Sequence, residues 1–179
     1  MSYCALAPAH PLHISHHDEE HGYPLFDDRL LFERLVLELH QPGLSWLTML
    51  KKRAAFENAF AAYHLPTLAA FTLEDIQRLL QDPSIIRHRQ KIEAVIHNAQ
   101  QVIKLQEGHV SFKGWLDHYH PCTLERWTKI FRETFKFTGP SVVKEFLMSV
   151  GYWPGAHEQS CPIYQQILAL NPPWLLARE

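Results

Sequence analysis

Apolar residues recur at helical spacing in nearly every patterned stretch of this 179-residue chain, and alternating strand patterns are essentially absent. Leu31, Leu35 and Leu39 share one face of a helix that Asp27 or Asp28 can cap. Past the Pro42-Gly43 break, a helix over about 45–63 turns Leu47, Leu50, Phe56 and Phe60 inward, and "HLPT" breaks the chain at Pro66. Thr72 with Asp75 three residues on is a capping-box pattern, and "DPS" at 82–84 stops the helix it starts. A long helix over about 87–106 carries Ile92, Val95, Ile96, Ala99, Val102 and Ile103 on its inner face. Shorter helices fit 111–119, 123–135, 140–150 and 162–170, with Pro140 at a first turn, where its missing N–H does no harm. Only seven glycines fit short connections and disfavour a glycine-rich phosphate loop. The expectation is an all-α single domain over 1–179, with terminal segments 1–22 and 151–179 around a helical core.

Composition limits the partners. A formal net charge of −2 means that any nucleic-acid site is a local basic patch. No apolar run approaches the ~20 residues that cross a bilayer. The N-terminus lacks a basic start followed by an apolar core, which reads as a cytoplasmic protein. Three cysteines in a reducing compartment point away from a disulfide framework, toward metal binding or burial.

Cys4 and His17 near the start, with His157 and Cys161 spaced H-x3-C near the end, form a Cys2His2 set suited to closed tetrahedral zinc. Such a site would tie the chain ends together. Thirteen histidines make an H-x3-C pair common by chance, and His10, His13, His16 and His21 crowd the same stretch, so spacing alone does not select the ligand. Cys122 is left over and reads as a buried free cysteine.

One segment is odd. In "LELHQPGLSWLTMLKKR", Glu38 interrupts an apolar helix, a Pro-Gly turn follows, then Trp46 and the cations Lys51, Lys52 and Arg53. Taken alone, Glu38 reads better as a solvated helix-edge acid and Trp46 as an ordinary core tryptophan.

This segment, with "HDEEHG" at 17–22, "IIRHRQKIEAVIHNA" at 85–99, "FKFTG" at 135–139 and the terminal His157 and Cys161, closely resembles the DNA-3-methyladenine glycosylase I family, almost end to end. The resemblance implies a helix-hairpin-helix glycosylase fold and a structural zinc on Cys4, His17, His157 and Cys161. It implies base excision from double-stranded DNA carrying alkylated bases, chiefly 3-methyladenine, by a monomer that flips the base into a pocket. Glu38 becomes the pocket acid and candidate catalytic residue, acting by recognition and electrostatics more than as a general base. Trp46 becomes the stacking aromatic, and His16 and His21 fall at base-binding positions. Leu44 becomes a wedge into the vacated stack, and Lys51, Lys52, Arg53, Arg87, Arg89 and Lys91 become candidate DNA contacts.

The chain departs from the family pattern at Leu6 and His21, where tryptophans are usual, and at His16, where a tyrosine is expected. Leu39, His40, Pro42 and Ser84 also differ from the usual residues. Two readings follow: an alkyl-base glycosylase, or a member with altered specificity or no catalysis that binds damaged DNA.

Overall fold

The computed structural model describes residues 2–178. Every regular element among them is helical: α1 Tyr3–Leu6, α2 Pro11–Glu19, α3 Asp28–His40, α4 Trp46–Ala59, α5 Leu65–Ala69, α6 Leu73–Gln81, α7 Arg89–His109, α8 Phe112–Tyr119, α9 Leu124–Thr134, α10 Pro140–Ser149 and α11 Pro162–Ala169.

The centre is α3, whose residues from Leu31 to His40 are all buried. Helices α4, α7, α8 and α10 pack around it. Asp27 caps α3 by accepting from the Leu30 N–H at 2.9 Å. Asp28 instead serves a neighbouring helix, accepting from the Phe112 and Lys113 N–H groups at 2.7 and 3.2 Å and so capping α8. The Thr72–Asp75 capping box forms as its spacing predicts.

Three boundaries move. The helix expected over 45–63 ends at Ala59, because Ala61, Ala62 and Tyr63 take positive φ values of 52°, 50° and 56°. That left-handed turn delivers the Tyr63 ring, fully buried, into the core. The long helix starts at Arg89, after an extended His88, and runs to His109. Two helices precede Gly22 where no pattern signalled them.

Gly22, at φ +85°, joins the two chain ends: its N–H donates to the Ser149 carbonyl at 2.9 Å. A Cβ there would lie 2.7 Å from that of Ala156, so only glycine fits. A satellite cluster of Cys161, Ile163 and Ile167 packs with Cys4, Tyr23 and Tyr164 beside the main core. No helix among the described residues is long and apolar enough to cross a membrane.

Candidate functional site

A cavity of about 480 Å³ opens between α1, the start of α4, α10 and the loop around His157. Glu38, on α3, is only 7 % exposed yet lines it. Among the described residues no group hydrogen-bonds its carboxyl. Burial and the nearby negative charge of Glu145 push Glu38 up to about 8, against the opposing pull of Arg34. Near neutral pH Glu38 is therefore held mainly in its protonated form.

Trp46 reaches the same cavity from the first turn of α4, where Ser45 caps the helix by accepting from the Thr48 N–H at 3.2 Å. Between α3 and α4, the Leu44 N–H donates to the Gln41 carbonyl at 2.8 Å across Pro42 and Gly43. Gly43 sits at φ +88°, as a turn with proline first and glycine second requires. This turn sets Trp46 opposite Glu38. Leu44, half-buried, packs against the main core, and Gln41 Nε2 donates to its carbonyl at 2.7 Å.

The two histidines expected at the base part company. His21 lines the cavity, and burial holds its imidazole down to about 3. His16 lies behind the wall, 2 % exposed, with its ring 5.2 Å from that of Trp46 in a T-shaped contact. The aromatic surface comes instead from Tyr3, which sequence reasoning missed. The Tyr3 hydroxyl lies 2.9 Å from His16 Nδ1, and burial pushes its pKa up, so it stays neutral. The signal for it was indirect: a chain lacking aromatics at 6, 16 and 21 has one beside Cys4.

The departures next to the acid turn out to face away. Leu39 and His40 belong to the interior, where His40 Nδ1 meets the Val36 carbonyl at 2.8 Å and its ring packs on Phe56 at 4.8 Å. Leu6 is exposed. Cys122, expected to be buried, is half-buried.

Cys4, His17, His157 and Cys161 converge with their donor atoms within 4.8 Å of one another. Cys161 Sγ lies 3.7 Å from His157 Nδ1 and 3.8 Å from His17 Nε2. The two imidazole nitrogens are 3.1 Å apart. A tetrahedral zinc with bonds of about 2.3 Å to sulfur and about 2.0–2.1 Å to nitrogen has edges of roughly 3.3–3.8 Å, which small side-chain shifts in this set would reach. Both outer nitrogens are committed: His17 Nδ1 to Asp18 at 2.6 Å, and His157 Nε2 to the His21 carbonyl at 2.7 Å. That leaves the inner nitrogens free to bind a metal.

Residues 6–130 match the family model described as methyladenine glycosylase. The chain belongs to the methyladenine glycosylase family. It is 34% identical over 170 residues to DNA-3-methyladenine glycosylase 1 of Escherichia coli, covering 84% of this chain and 91% of that protein. Its backbone superposes with a TM-score of 0.84, at 35% identity, on a tyrosine-to-phenylalanine variant of 3-methyladenine DNA glycosylase I in complex with 3-methyladenine, covering 91% of this chain and 97% of that one. The Staphylococcus aureus enzyme, solved for its recognition of 3-methyladenine, gives 0.82 at 34% identity, over 90% and 95% of the two chains.

In this member of the family, the expected DNA-contacting cations fall into three situations. Lys51, Arg87 and Arg89 are exposed. Lys52 and Lys91 are half-buried, and each holds a carbonyl: Lys52 Nζ donates to Ser84 O at 2.8 Å, and Lys91 Nζ to His40 O at 3.1 Å. Arg53, expected in the patch, is drawn into an ion-pair network instead. It donates to Glu33 and Glu20, each at 2.7 Å, while Arg34 also pairs with Glu20. Burial alone would raise Glu20, but the Arg53 hydrogen bond and the Arg34 charge hold it below the usual carboxylate range.

Proposed function

We propose that this protein is a DNA glycosylase that hydrolyses the N-glycosidic bond of alkylated purines, chiefly 3-methyladenine, flipped out of double-stranded DNA. The observation that supports this most directly is the unpartnered acid, Glu38, facing Trp46 and Tyr3 in one cavity. An N3-alkylated adenine in DNA is cationic and already a good leaving group. The aromatic faces of Trp46 and Tyr3 favour it by roughly 1–2 kcal/mol of cation–π attraction. Glu38, with no protein partner, is left to pair with the base edge, and the cationic base supplies the counter-charge its ionisation needs. Glu38 thus acts through recognition and electrostatics. His21 completes the wall, and His16 acts through Tyr3 and Trp46 rather than on the base.

The fold is read as helix-hairpin-helix, with α6, the loop 82–88 and α7 as the hairpin. Backbone N–H groups at the start of α7, with Arg87 and Arg89, would hold a phosphate. Lys51, Lys52 and Lys91 extend that surface, and Leu44 fills the gap left by the flipped base. Zinc on Cys4, His17, His157 and Cys161 holds the N-terminal wall of the cavity in place and supplies no chemistry. The protein is read as a single-domain monomer, and the bacterial relatives support action in the cytoplasm.

The test is chromatographic analysis of bases released from methylated duplex DNA. Wild-type protein is expected to release 3-methyladenine, and Glu38→Gln to lower the rate by on the order of 100-fold. DNA binding without release would favour the non-catalytic reading.

A further inference from the structure

Glu38 is not the only acid in the base cavity. Glu145, on α10, lines it as well, since α10 packs against α3, and Glu158 stands exposed at its edge. No lysine or arginine is among the lining residues. Two histidines, His21 and His157, line it too. Neither Glu38 nor Glu145 hydrogen-bonds a group among the described residues.

Resting on the glycosylase reading, we propose that Glu145 is a specificity determinant, the second carboxylate of the base cavity, which selects cationic purines over neutral ones of the same shape. The two acids divide the work by depth. Glu145 is half-buried, whereas Glu38 is enclosed; burial raises both carboxyls, and the Glu145 charge adds to the rise at Glu38. Of the two acids within the cavity, the more open Glu145 is the better placed to hold negative charge beside a bound base. The other charged groups are placed differently: Arg34 acts on Glu38 from its own helix, and Lys144 lies beside Glu145 on α10. Tyr3 lines the same cavity. A neutral purine gains shape and stacking from this cavity, while a cationic one also gains the Glu145 charge.

Calorimetric titration with the 3,9-dimethyladeninium cation and with neutral 3-methyladenine at pH 7.5 tests this. Wild-type protein is expected to prefer the cation. Glu145→Gln is expected to weaken the cation by about tenfold and the neutral base by less than about twofold, an opposite-charge contact being worth a pK unit or more. Glu145→Asp keeps the charge and is expected to keep most of the preference, which guards against a variant that merely loosens α10. In Glu145→Gln the pH at which cation affinity levels off should also move down, because Glu38 no longer faces a charge, and a purely structural role would not produce that shift. Equal weakening of both ligands, or no wild-type preference, overturns the proposal even if 3-methyladenine release from DNA is intact. Wild-type protein that binds neither ligand overturns it together with the base-pocket reading, which the release assay checks independently.

Discussion

Glu38 keeps its proton because burial and the Glu145 charge outweigh the pull of Arg34, and that has a consequence for stability. Its pKa rises from an ordinary 4.5 to about 8 in the folded chain, so folding favours the protonated form. The stability that depends on this proton is fully present below pH 4.5, declines as pH rises toward 8, and is lost above it. Glu38→Gln removes the titration. At pH 9 the variant is expected to be more stable than wild type by on the order of 2–4 kcal/mol, with little difference at pH 4. Thermal melts at the two pH values check this, and a variant no more stable at pH 9 would show that the carboxyl is solvated. The acid itself was legible in the sequence, because a carboxylate in an unbroken apolar run must be either at an edge or in a pocket. Glu145 was not: in "VVKEFL" it follows a lysine and reads as part of a solvated face, and only the packing of α10 on α3 shows that it borders the cavity.

At the scale of elements, the helices with an apolar stripe were readable and those without one were not. Helix α2 is the clearest case, for its buried side chains are His13, His16 and His17. A helix that packs through imidazoles has no hydrophobic periodicity to detect. The left-handed turn at 61–63 is hidden for a different reason, since alanine there gives no glycine signal and the driving force is burial of Tyr63. Because α1 and α2 bury so little apolar surface, their docking should depend on the Cys2His2 cluster. Elemental analysis of protein purified without chelator is expected to find about one zinc per chain. Cys161→Ser should lower the melting temperature by several degrees, corresponding to about 2 kcal/mol or more. It should also raise proteolysis within residues 2–22 before the helical core is attacked. Metal-free wild-type protein with the same melting curve as the loaded form would remove zinc from the structure's stability.

For the whole molecule, the proposed activity requires that a net charge of −2 coexist with a surface that grips a polyanion, so the cations would have to be gathered. The fold gathers them through two carbonyl contacts that individual segments could not reveal. Lys52 donates to Ser84, joining α4 to the loop 82–88, and Lys91 donates to His40, joining α7 to the end of α3 just before the turn bearing Leu44. The loop 82–88 and the 41–44 turn, whose Gln41 lines the Glu38 cavity, are tied to their neighbours by these contacts, and the proposed DNA path runs along them. Arg53 is excluded from that path because Glu20 and Glu33 claim it. This predicts how affinity for undamaged duplex responds to salt. Each phosphate neutralised adds about 0.9 to the slope of log affinity against log salt. Lys51→Glu and Arg87→Glu, which alter exposed residues, should each lower the slope magnitude by about 1 and weaken all duplex sequences alike. Affinity for a free cationic base should stay the same in both, since neither residue lines the cavity. Fluorescence anisotropy across a salt series measures the slope, and an unchanged slope in both variants would move the DNA to another face of the protein.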